Sequence, residues 1–338
     1  MRKIRLWVVI LFIILDIGAV SCLVLAYTNI KFKSFIITTS MSTMNHKYIA
    51  RTLYSERIID KVLSENTIEE LDEEVNLNSI QIGTYKKENF ESEAEEEILK
   101  KDKNNDLYKL ITKKENGKTY YITVIYDPSR ISLGLTSKIG VEGETVKEIA
   151  KNNQAIIGIN ASGFEDVGGY GNGGSAKGTV IKNGKVVWTN TPSSWGSGLI
   201  GFNKDHKLVL TKETPNKAIE NGMMDAVAFG PFLIVNGHEA SVLGNGGSGI
   251  HPRTIIAQRK DGIVLFIVID GNGNKKGFRG GVDYNEMIAI LKKYGAYNAS
   301  NLDGGASSIL VINNKIVNNP VGYGATGERR HPNAWIVK

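Results

Sequence analysis

The apolar run near the N-terminus constrains this chain more than any other feature of its sequence. Residues 7–27 are nearly all apolar, and a run of this length is what a helix needs to cross the hydrocarbon core of a bilayer. Arg2, Lys3 and Arg5 precede it, so the positive-inside rule predicts a cytoplasmic N-terminus and a main domain on the outer side. We therefore expect a signal anchor that crosses the cell membrane once.

Two other interpretations of the run are a cleaved signal peptide and a lipoprotein signal that ends at Cys22. The run is long for a signal peptide and no A-x-A cleavage site follows it. Apolar residues also continue beyond Cys22, so the uncleaved anchor is preferred. Cys22 is the one cysteine in the sequence, which excludes an intramolecular disulfide and leaves the outer part to be stabilised by its core.

The charge balance excludes one class of partner. The chain of 338 residues has a formal net charge of +6. This charge favours anionic partners mildly and is well short of the basic patches that are typical of nucleic-acid-binding domains. We expect no nucleic acid partner.

Changes in composition predict three regions. Residues 1–27 form the cytoplasmic tip and the membrane helix, residues 28–107 form a stalk region, and residues 108–338 form the outer domain. This order places a folded outer domain at the end of a stalk.

The stalk region itself is expected to change along its length. Polar and β-branched residues at 28–47 predict extended chain, and the apolar spacing from His46 to about Leu63 predicts a helix. The densely charged stretch at 85–106 is typical of a solvated linker or an exposed helix. No function is assigned to these charges.

The outer domain shows many strand patterns and few helical ones. Helices are predicted at Val146–Ala150 and at Tyr284–Tyr294, where apolar residues recur at helical spacing. Strand-like runs occur at 120–126, 155–159, 178–188, 207–211, 231–236, 253–258, 262–270 and 308–317. Strands therefore dominate, which predicts an α+β class with strand-rich mixed sheets and not a regular βαβ alternation.

Polar and glycine residues follow several of these strands, at places where core packing alone would not require them. They occur, in chain order, at Asn160–Phe164, 168–174, Phe229–Pro231, His251–Thr254, Asp270–Gly271, Asn301–Ser308 and Glu328–Arg330. These segments are the candidates for a functional site.

Taken in this order, the segments resemble the phosphodiester glycosidase family. The resemblance covers roughly residues 110–338. It is strongest at Arg253-Thr254 and at Asn301–Gly305, which serines follow. It departs at Ser162 and Ala306, positions where the family often has glycine.

The resemblance implies a hydrolase that cleaves a sugar-1-phosphodiester, with α-linked N-acetylglucosamine as the expected sugar. The expected substrate is an anionic envelope glycopolymer, such as a teichoic-acid-like chain or an exopolysaccharide. The leaving group is then a phosphate monoester whose second pKa is about 6, and it can leave largely unprotonated if cations stabilise it. Arginine binds phosphate oxygens bidentately, so we expect Arg253 first, then Arg329 and Arg330.

Cleavage also needs a carboxylate, as a nucleophile or as a base for water. Asp303 is the first candidate, because glycines at 304 and 305 let backbone and substrate come close. Asp270 and Glu328 are the other candidates, and their roles stay open. The residues expected to bind sugar or phosphate are Asn160, Gly163, Arg253, Thr254, Gly304, Gly305, Ser307, Ser308, Arg329 and Arg330.

Two other functions share these residues. One is a catalytically inactive scaffold that binds polysaccharide during its assembly, and the other is a phosphodiesterase that cuts the P–O bond. The sequence has no Cys/His cluster with metal-ligand spacing, so we expect no metal and no cofactor, while a calcium site built from Asp and Asn oxygens stays open.

Overall fold

The computed structural model describes residues 6–43, 46–83, 89–103, 105–166, 172–190, 196–271, 280–322 and 326–338. The chain divides into two compact units. The first unit combines Met1–Thr67 with Leu243–Gly249, and the second combines Ile68–Val242 with Ile250–Lys338.

Helices make up the first unit and also occur in the second. The helices of the described residues are Leu6–Thr28 (α1), Ile30–Met41 (α2), Lys47–Leu53 (α3), Glu56–Ser64 (α4), Glu93–Leu99 (α5), Val146–Asn152 (α6), Pro215–Glu220 (α7) and Tyr284–Lys293 (α8). The α1 helix is long and apolar enough to cross a membrane or to serve as a signal sequence.

The α2 helix corrects the expectation of extended chain at 28–47. The side chain of Asn29 caps this helix by accepting a hydrogen bond from the Phe32 backbone N–H at 2.9 Å. Ile37 is fully buried in a small core with Ala50 of α3 and Ile59 of α4. Packing against neighbouring helices here outweighs the weak helix propensity of β-branched residues.

The helix predicted from His46 to Leu63 is present as two helices, α3 and α4, with a break at Tyr54-Ser55. The charged stretch at 85–106 contains α5, and residues 85–88 and 104 lie outside the described residues. Ser92 caps α5 through the Glu95 backbone N–H at 3.1 Å, and Ile98 is fully buried. The α5 helix of this stretch therefore has one face in the core.

Strands make up most of the second unit. The strands are Ile68–Glu69 (β1), Tyr108–Glu115 (β2), Lys118–Ile125 (β3), Ile131–Leu135 (β4), Glu144–Thr145 (β5), Ile157–Asn160 (β6), Thr179–Lys182 (β7), Lys185–Thr189 (β8), Gly198–Asn203 (β9), Leu208–Thr211 (β10), Met223–Phe229 (β11), Phe232–Val235 (β12), His238–Glu239 (β13), Ser241–Val242 (β14), Arg253–Arg259 (β15), Val264–Asp270 (β16), Ala296–Asn301 (β17), Leu310–Ile312 (β18), Lys315–Ile316 (β19), Arg330–His331 (β20) and Asn333–Val337 (β21).

These strands form three larger sheets and two small ones. The central sheet has the order β13-β12-β17-β15-β16-β3-β2, a second sheet has the order β10-β9-β11-β7-β8, and a third has the order β19-β18-β6-β21-β4. Two-stranded pairs join β1 with β14 and β5 with β20. The α+β, strand-rich class predicted from the sequence is confirmed.

The expectation of mixed sheets is refined in one respect. Each pairing among the described strands is antiparallel. Short connections explain part of this, because a turn of two or three residues can join only antiparallel neighbours. The pairs β2-β3, β7-β8 and β18-β19 are joined in this way.

The β16 strand shows where the core lies. Phe266 and Val268 face a core shared with the other sheets, while Leu265 and Ile267 face a core that α5 and α8 cover. Alternate residues of a strand point to opposite faces, so a strand buried on both faces reads as a continuous apolar run. The central sheet is therefore the middle layer of the unit, and the ends of its strands carry the candidate site.

Candidate active site

Asn160 joins the third sheet to the central sheet. It ends β6, and its Nδ2 donates to the main-chain oxygen of Asp303 at 2.6 Å. Its Oδ1 accepts from Thr254 Oγ1 at 2.8 Å and from the Ile309 backbone N–H at 3.2 Å. The side chain is fully buried. Asn160 and Thr254, both predicted to bind substrate, are therefore engaged in holding the segment that carries Asp303.

Asp303 lies just after β17 in a partly buried position. Its Oδ1 accepts from the Gly304 backbone N–H at 3.1 Å, and the hydroxyl of Ser307 donates to the same carboxylate. Burial raises the pKa of Asp303 to about 6, against the opposing effects of Ser307, Arg329, Gly304 and Lys177. The structure thus brings two predicted site residues, Ser307 and Arg329, to the first-choice carboxylate.

The turn after Asp303 is packed on one side and open on the other. The Gly305 backbone N–H donates to the Pro252 oxygen at 2.8 Å, and a Cβ on Gly304 would stand 2.9 Å from the same oxygen. Gly305 has a φ of +61° and meets no atom within 4 Å of the Cβ position. The glycine pair therefore lets the turn sit against Pro252 and leaves space beside Asp303.

Arg329 is held in place from several sides. Its Nη2 forms an ion pair with Asp166 Oδ2, and its guanidinium lies 4.6 Å from the centre of the Phe164 ring. The side chains of Arg329 and Asp166 are only 13% and 3% exposed. His331 meets Phe164 edge to face, with ring centres 5.7 Å apart. An arginine fixed in this way is positioned before any anion arrives.

The chain that follows β6 brings a second cation to the site. Phe164 forms an isolated antiparallel bridge with Ala176, and the Lys177 backbone N–H donates to the Gly163 oxygen at 2.9 Å. This pairing carries Lys177 toward Asp303, whose pKa it helps to lower. Of the glycine-rich segment 168–174, residues 168–171 lie outside the described residues.

Asp166, Lys177 and His331 were not among the predicted site residues. His331 is fully buried, and burial together with Arg329 lowers its pKa to about 3, so its ring is neutral at ordinary pH. Asp166 lies two residues after Phe164, just outside the candidate segment Asn160–Phe164, and this position next to the segment was a partial signal. Lys177 carried no such signal, because it reaches the site only through the bridge between distant segments.

The other two predicted arginines are placed differently. Arg253 is buried, its Nε donates to the Val282 oxygen at 3.2 Å, and its guanidinium lies 5.1 Å from the Tyr284 ring centre. Burial lowers the pKa of Arg253. Arg330 is half exposed and donates from Nη1 to the Gly143 oxygen at 2.8 Å. Of the three arginines, Arg329 is the one that acts on the charge of Asp303.

Asp270 supports the turn that carries Ser307 and Ser308. Its Oδ1 accepts from Asn318 Nδ2 at 2.9 Å, and its Oδ2 accepts from the Asn319 backbone N–H at 2.6 Å. Asn318 Nδ2 also donates to the Ser308 oxygen at 3.0 Å, next to the Ser307 that bonds Asp303. Burial raises the pKa of Asp270, although these hydrogen bonds oppose the shift. Asp270 and Ser308 thus fix the turn that presents Ser307.

Glu328 has its own surroundings. Its backbone N–H lies 3.4 Å from Thr326 Oγ1, and burial raises its pKa, while Lys147 lowers it and Glu148 raises it further. Both of these neighbours belong to α6. Within the ranges that the structure describes, no three His, Cys, Asp or Glu side chains are grouped as a metal site requires.

A family model described as phosphodiester glycosidase matches residues 153–338, which is more than half of the chain. The chain belongs to this family. The match contains Asp303 and the residues that act on its carboxylate, which are Lys177, Gly304, Ser307 and Arg329. The family resemblance inferred from the motifs is confirmed.

The chain is also similar to two individual proteins. The SPbeta prophage-derived uncharacterized protein YomE of Bacillus subtilis (strain 168) is 27% identical over 200 residues. That alignment spans 57% of this chain and only 29% of the length of the relative. A solved structure of the zebrafish N-acetylglucosamine-1-phosphodiester α-N-acetylglucosaminidase catalytic domain, auto-inhibited by its pro-peptide, aligns with a TM-score of 0.56 at 19% identity. It covers 70% of this chain and 85% of the zebrafish domain, so the two share the fold.

Proposed function

We propose that this chain is a membrane-anchored hydrolase that cleaves a sugar-1-phosphodiester at the bond between the anomeric carbon and oxygen. The observation that carries the proposal is the Asp303 carboxyl in its glycine turn, where burial raises its pKa to about 6 and the charges of Arg329 and Lys177 favour its anion. A carboxylate next to two cations suits a substrate whose reacting carbon bears an anionic leaving group. The name of the zebrafish relative supports α-N-acetylglucosamine as the sugar.

The chemistry needs few protein groups. Asp303 acts on the anomeric carbon as a nucleophile, or on water as a base, and above pH 6 it is predominantly the required anion. Arg329 and Lys177 stabilise the departing phosphate monoester, whose second pKa is about 6. Because that group leaves without a proton, the site does not need the second carboxylate that ordinary glycosidases use as a general acid.

The remaining polar residues hold this geometry. Asp166 and Phe164 fix the position of Arg329, and Ser307 fixes the Asp303 side chain. Such preorganisation is effective because the donors need not reorient when charge develops on the leaving group. We assign Asn160, Thr254 and Asp270 to the support of the Asp303 segment.

The proposed location follows from α1 and the charges that precede it. A membrane span over Leu6–Thr28 that follows Arg2, Lys3 and Arg5 supports a cytoplasmic N-terminus and a second unit on the outer side. An anionic envelope glycopolymer is the substrate that such a placement favours.

The experiment uses the full chain in detergent and the methyl phosphodiester of α-N-acetylglucosamine-1-phosphate in ¹⁸O-labelled water. Phosphorus NMR and mass spectrometry follow the products. Methyl phosphate without label, together with labelled free sugar, is expected. Asp303→Asn should abolish it, while Glu115→Gln, at an exposed position on β2, should not.

Two other results would replace the proposal. Labelled phosphate in N-acetylglucosamine-1-phosphate would establish the phosphodiesterase that cuts P–O. Binding of the ester without any product, repeated with UDP-N-acetylglucosamine, would establish the inactive scaffold.

A further inference from the structure

An open cavity of about 550 Å³ lies in the second unit, and no role has yet been assigned to it. One wall comes from the matched family domain and includes Ser197, Lys212 and the Gly230-Pro231 step. The opposite wall comes from Glu69 and Glu70, which precede the matched residues 153–338. The cavity is therefore built partly by the matched domain and partly by a segment that precedes it in the chain.

The segment that forms the second wall, Ile68–Leu77, is fastened along its length, and we call it the acidic strap. Glu70 Oε1 accepts from the Phe232 backbone N–H at 2.7 Å. Glu73 Oε2 accepts from Asn236 Nδ2 at 2.9 Å, and the Leu77 oxygen accepts from Lys207 Nζ at 2.7 Å. Contacts at its beginning, middle and end make the strap a fixed wall.

The domain wall is made of backbone and small side chains. Gly230 has a φ of +158°, and a Cβ at this position would lie 2.1 Å from Ser197 Oγ. This close approach leaves a hydroxyl and main-chain groups at the surface of the cavity, with no bulky side chain over them. A wall of this kind offers hydrogen bonds to a polar ligand.

One wall of the cavity is hydrogen-bonded to the strand that precedes Asp303. Asn301 Nδ2 donates to the Gly230 oxygen at 2.9 Å, and the Asn301 backbone N–H donates to the Pro231 oxygen at 3.0 Å. Asp303 follows Asn301 by two residues, a separation of at most about 7 Å along the chain. The Gly230-Pro231 step, which lines the cavity, is therefore bonded to the strand that leads directly to Asp303.

The charges of the cavity lining indicate which kind of group, attached to the phosphate, the cavity can bind. Glu69 is exposed, and one carboxylate oxygen of Glu70 accepts the hydrogen bond from the Phe232 backbone N–H. Lys212 Nζ lies 3.7 Å from Oδ1 of Asp72, which belongs to the strap. Two carboxylates and one ammonium leave the lining negative, which disfavours a second phosphate. Carboxylate, carbonyl and serine oxygens accept hydrogen bonds from hydroxyl groups.

We propose that this cavity binds the aglycone, the group esterified to the phosphate, and selects an uncharged, hydroxyl-rich unit such as a polyol or a second sugar. The inference rests on the proposed function, since it assumes a sugar-1-phosphodiester at Asp303. It assigns the choice of aglycone to the acidic strap together with Ser197.

The test compares two esters of α-N-acetylglucosamine-1-phosphate, one with methanol and one with glycerol, on the full chain. The wild type should show the higher kcat/KM for the glycerol ester. Glu69→Ala and Ser197→Ala should each lower the ratio of the two kcat/KM values about fivefold to tenfold, as expected for one or two lost hydrogen bonds. Glu115→Ala, which removes an exposed carboxylate outside the cavity, should leave the ratio unchanged.

An unchanged ratio in both the Glu69 and Ser197 variants would overturn the inference while leaving the proposed function in place. If Ser197→Ala fails to fold, Glu69→Ala decides alone, because an exposed side chain is dispensable for folding. If the wild type hydrolyses neither ester, the proposed function fails, and calorimetric binding of both esters tests the cavity separately. Binding of the glycerol ester weakened by Glu69→Ala would support the cavity, and equal binding would reject it.

Discussion

The Asp-Gly pairs at Asp270 and Asp303 are alike in sequence and different in their surroundings. Both lie at the end of a strand of the central sheet, since Asp270 is the last residue of β16 and Asp303 comes two residues after β17. Both oxygens of Asp270 accept hydrogen bonds, from Asn318 and Asn319. The oxygens of Asp303 meet a backbone N–H from its own turn and a serine hydroxyl, with open space beside Gly305 and two cations nearby.

The comparison shows which property separates a carboxylate that supports the site from one that can react with a substrate. Burial raises the pKa of both carboxyls, so a raised pKa alone does not distinguish them. What distinguishes them is the partners: amide groups that fix a neighbouring turn at Asp270, and Arg329 with Lys177 at Asp303. A buried carboxylate whose partners are cations and a small hydroxyl, beside open space, is the one available to a substrate.

The largest effect expected from this comparison is on turnover. Asp303→Asn should lower kcat about 10³- to 10⁴-fold, because the reacting carboxylate is lost. Asp270→Asn should lower kcat by less than about tenfold, since it acts only through the turn that bears Ser307. Steady-state kinetics on the methyl ester measures both. Equal losses in the two variants would break the distinction.

The arginines allow the same comparison with a smaller effect. Arg329→Ala should lower kcat/KM about 10²- to 10³-fold, because a preorganised donor to the leaving phosphate is removed. Arg330→Ala serves as the matched control, since that side chain points to Gly143 and is half exposed. A loss in Arg330→Ala as large as that in Arg329→Ala would contradict the assignment of the phosphate contact.

The pH dependence tests the state in which Asp303 acts. A nucleophile or base must be ionised, so kcat/KM should fall about tenfold for each pH unit below about 6, reaching about 100-fold at pH 4. A pH profile of the wild type with the methyl ester measures this limb. Activity that rises on acidification through pH 6 would make Asp303 a general acid instead.

Stability should separate the two aspartates in sign. The pKa of Asp303 is higher in the folded than in the unfolded chain, so its ionisation destabilises the fold. This loss of stability is complete above about pH 6, where the folded-state carboxyl is ionised. Asp303→Asn should therefore raise the free energy of unfolding at pH 7 by on the order of 1–3 kcal/mol. Asp270→Asn should lower it by about 1–2 kcal/mol, because an amide N–H₂ would face a donor.

Denaturant unfolding of both variants at pH 7 and pH 5 measures these changes. The gain in Asp303→Asn should shrink at pH 5, where the wild-type carboxyl is largely protonated. Shifts of the same sign in both variants would remove the contrast between a supporting and a reacting carboxylate.

Much of the fold could be predicted from local patterns. The apolar run at 262–270 and the helical spacing at 284–294 match β16 and α8. Both predictions succeeded because the apolar residues of these two elements are buried in the core. The β17 strand, with the sequence AYNASN, was missed because alanine, asparagine and serine are poor strand formers. Its place between β12 and β15 buries every residue and overrides that preference.

The sequence predicted those candidate site residues that belong to a recognisable local motif. Asp303 followed by two glycines gave such a signal, and Arg329 gave a weaker one. The contribution of Lys177 depends on the pairing of two distant segments, and the support given by Asp270 depends on Asn318, which no local pattern identifies. Cooperation between distant side chains is a property of the tertiary structure, and the sequence of either segment does not contain it.

The Asn160 amide has a consequence for how activity first appears. Its bond to the Asp303 main chain joins residues 143 positions apart, and contacts of such sequence separation form late because a long loop must close first. A refolding chain will therefore regain strands and helices, seen by far-ultraviolet circular dichroism, before it regains turnover. Under the proposed function, turnover should return only when Asn160 of the third sheet bonds the segment that carries Asp303.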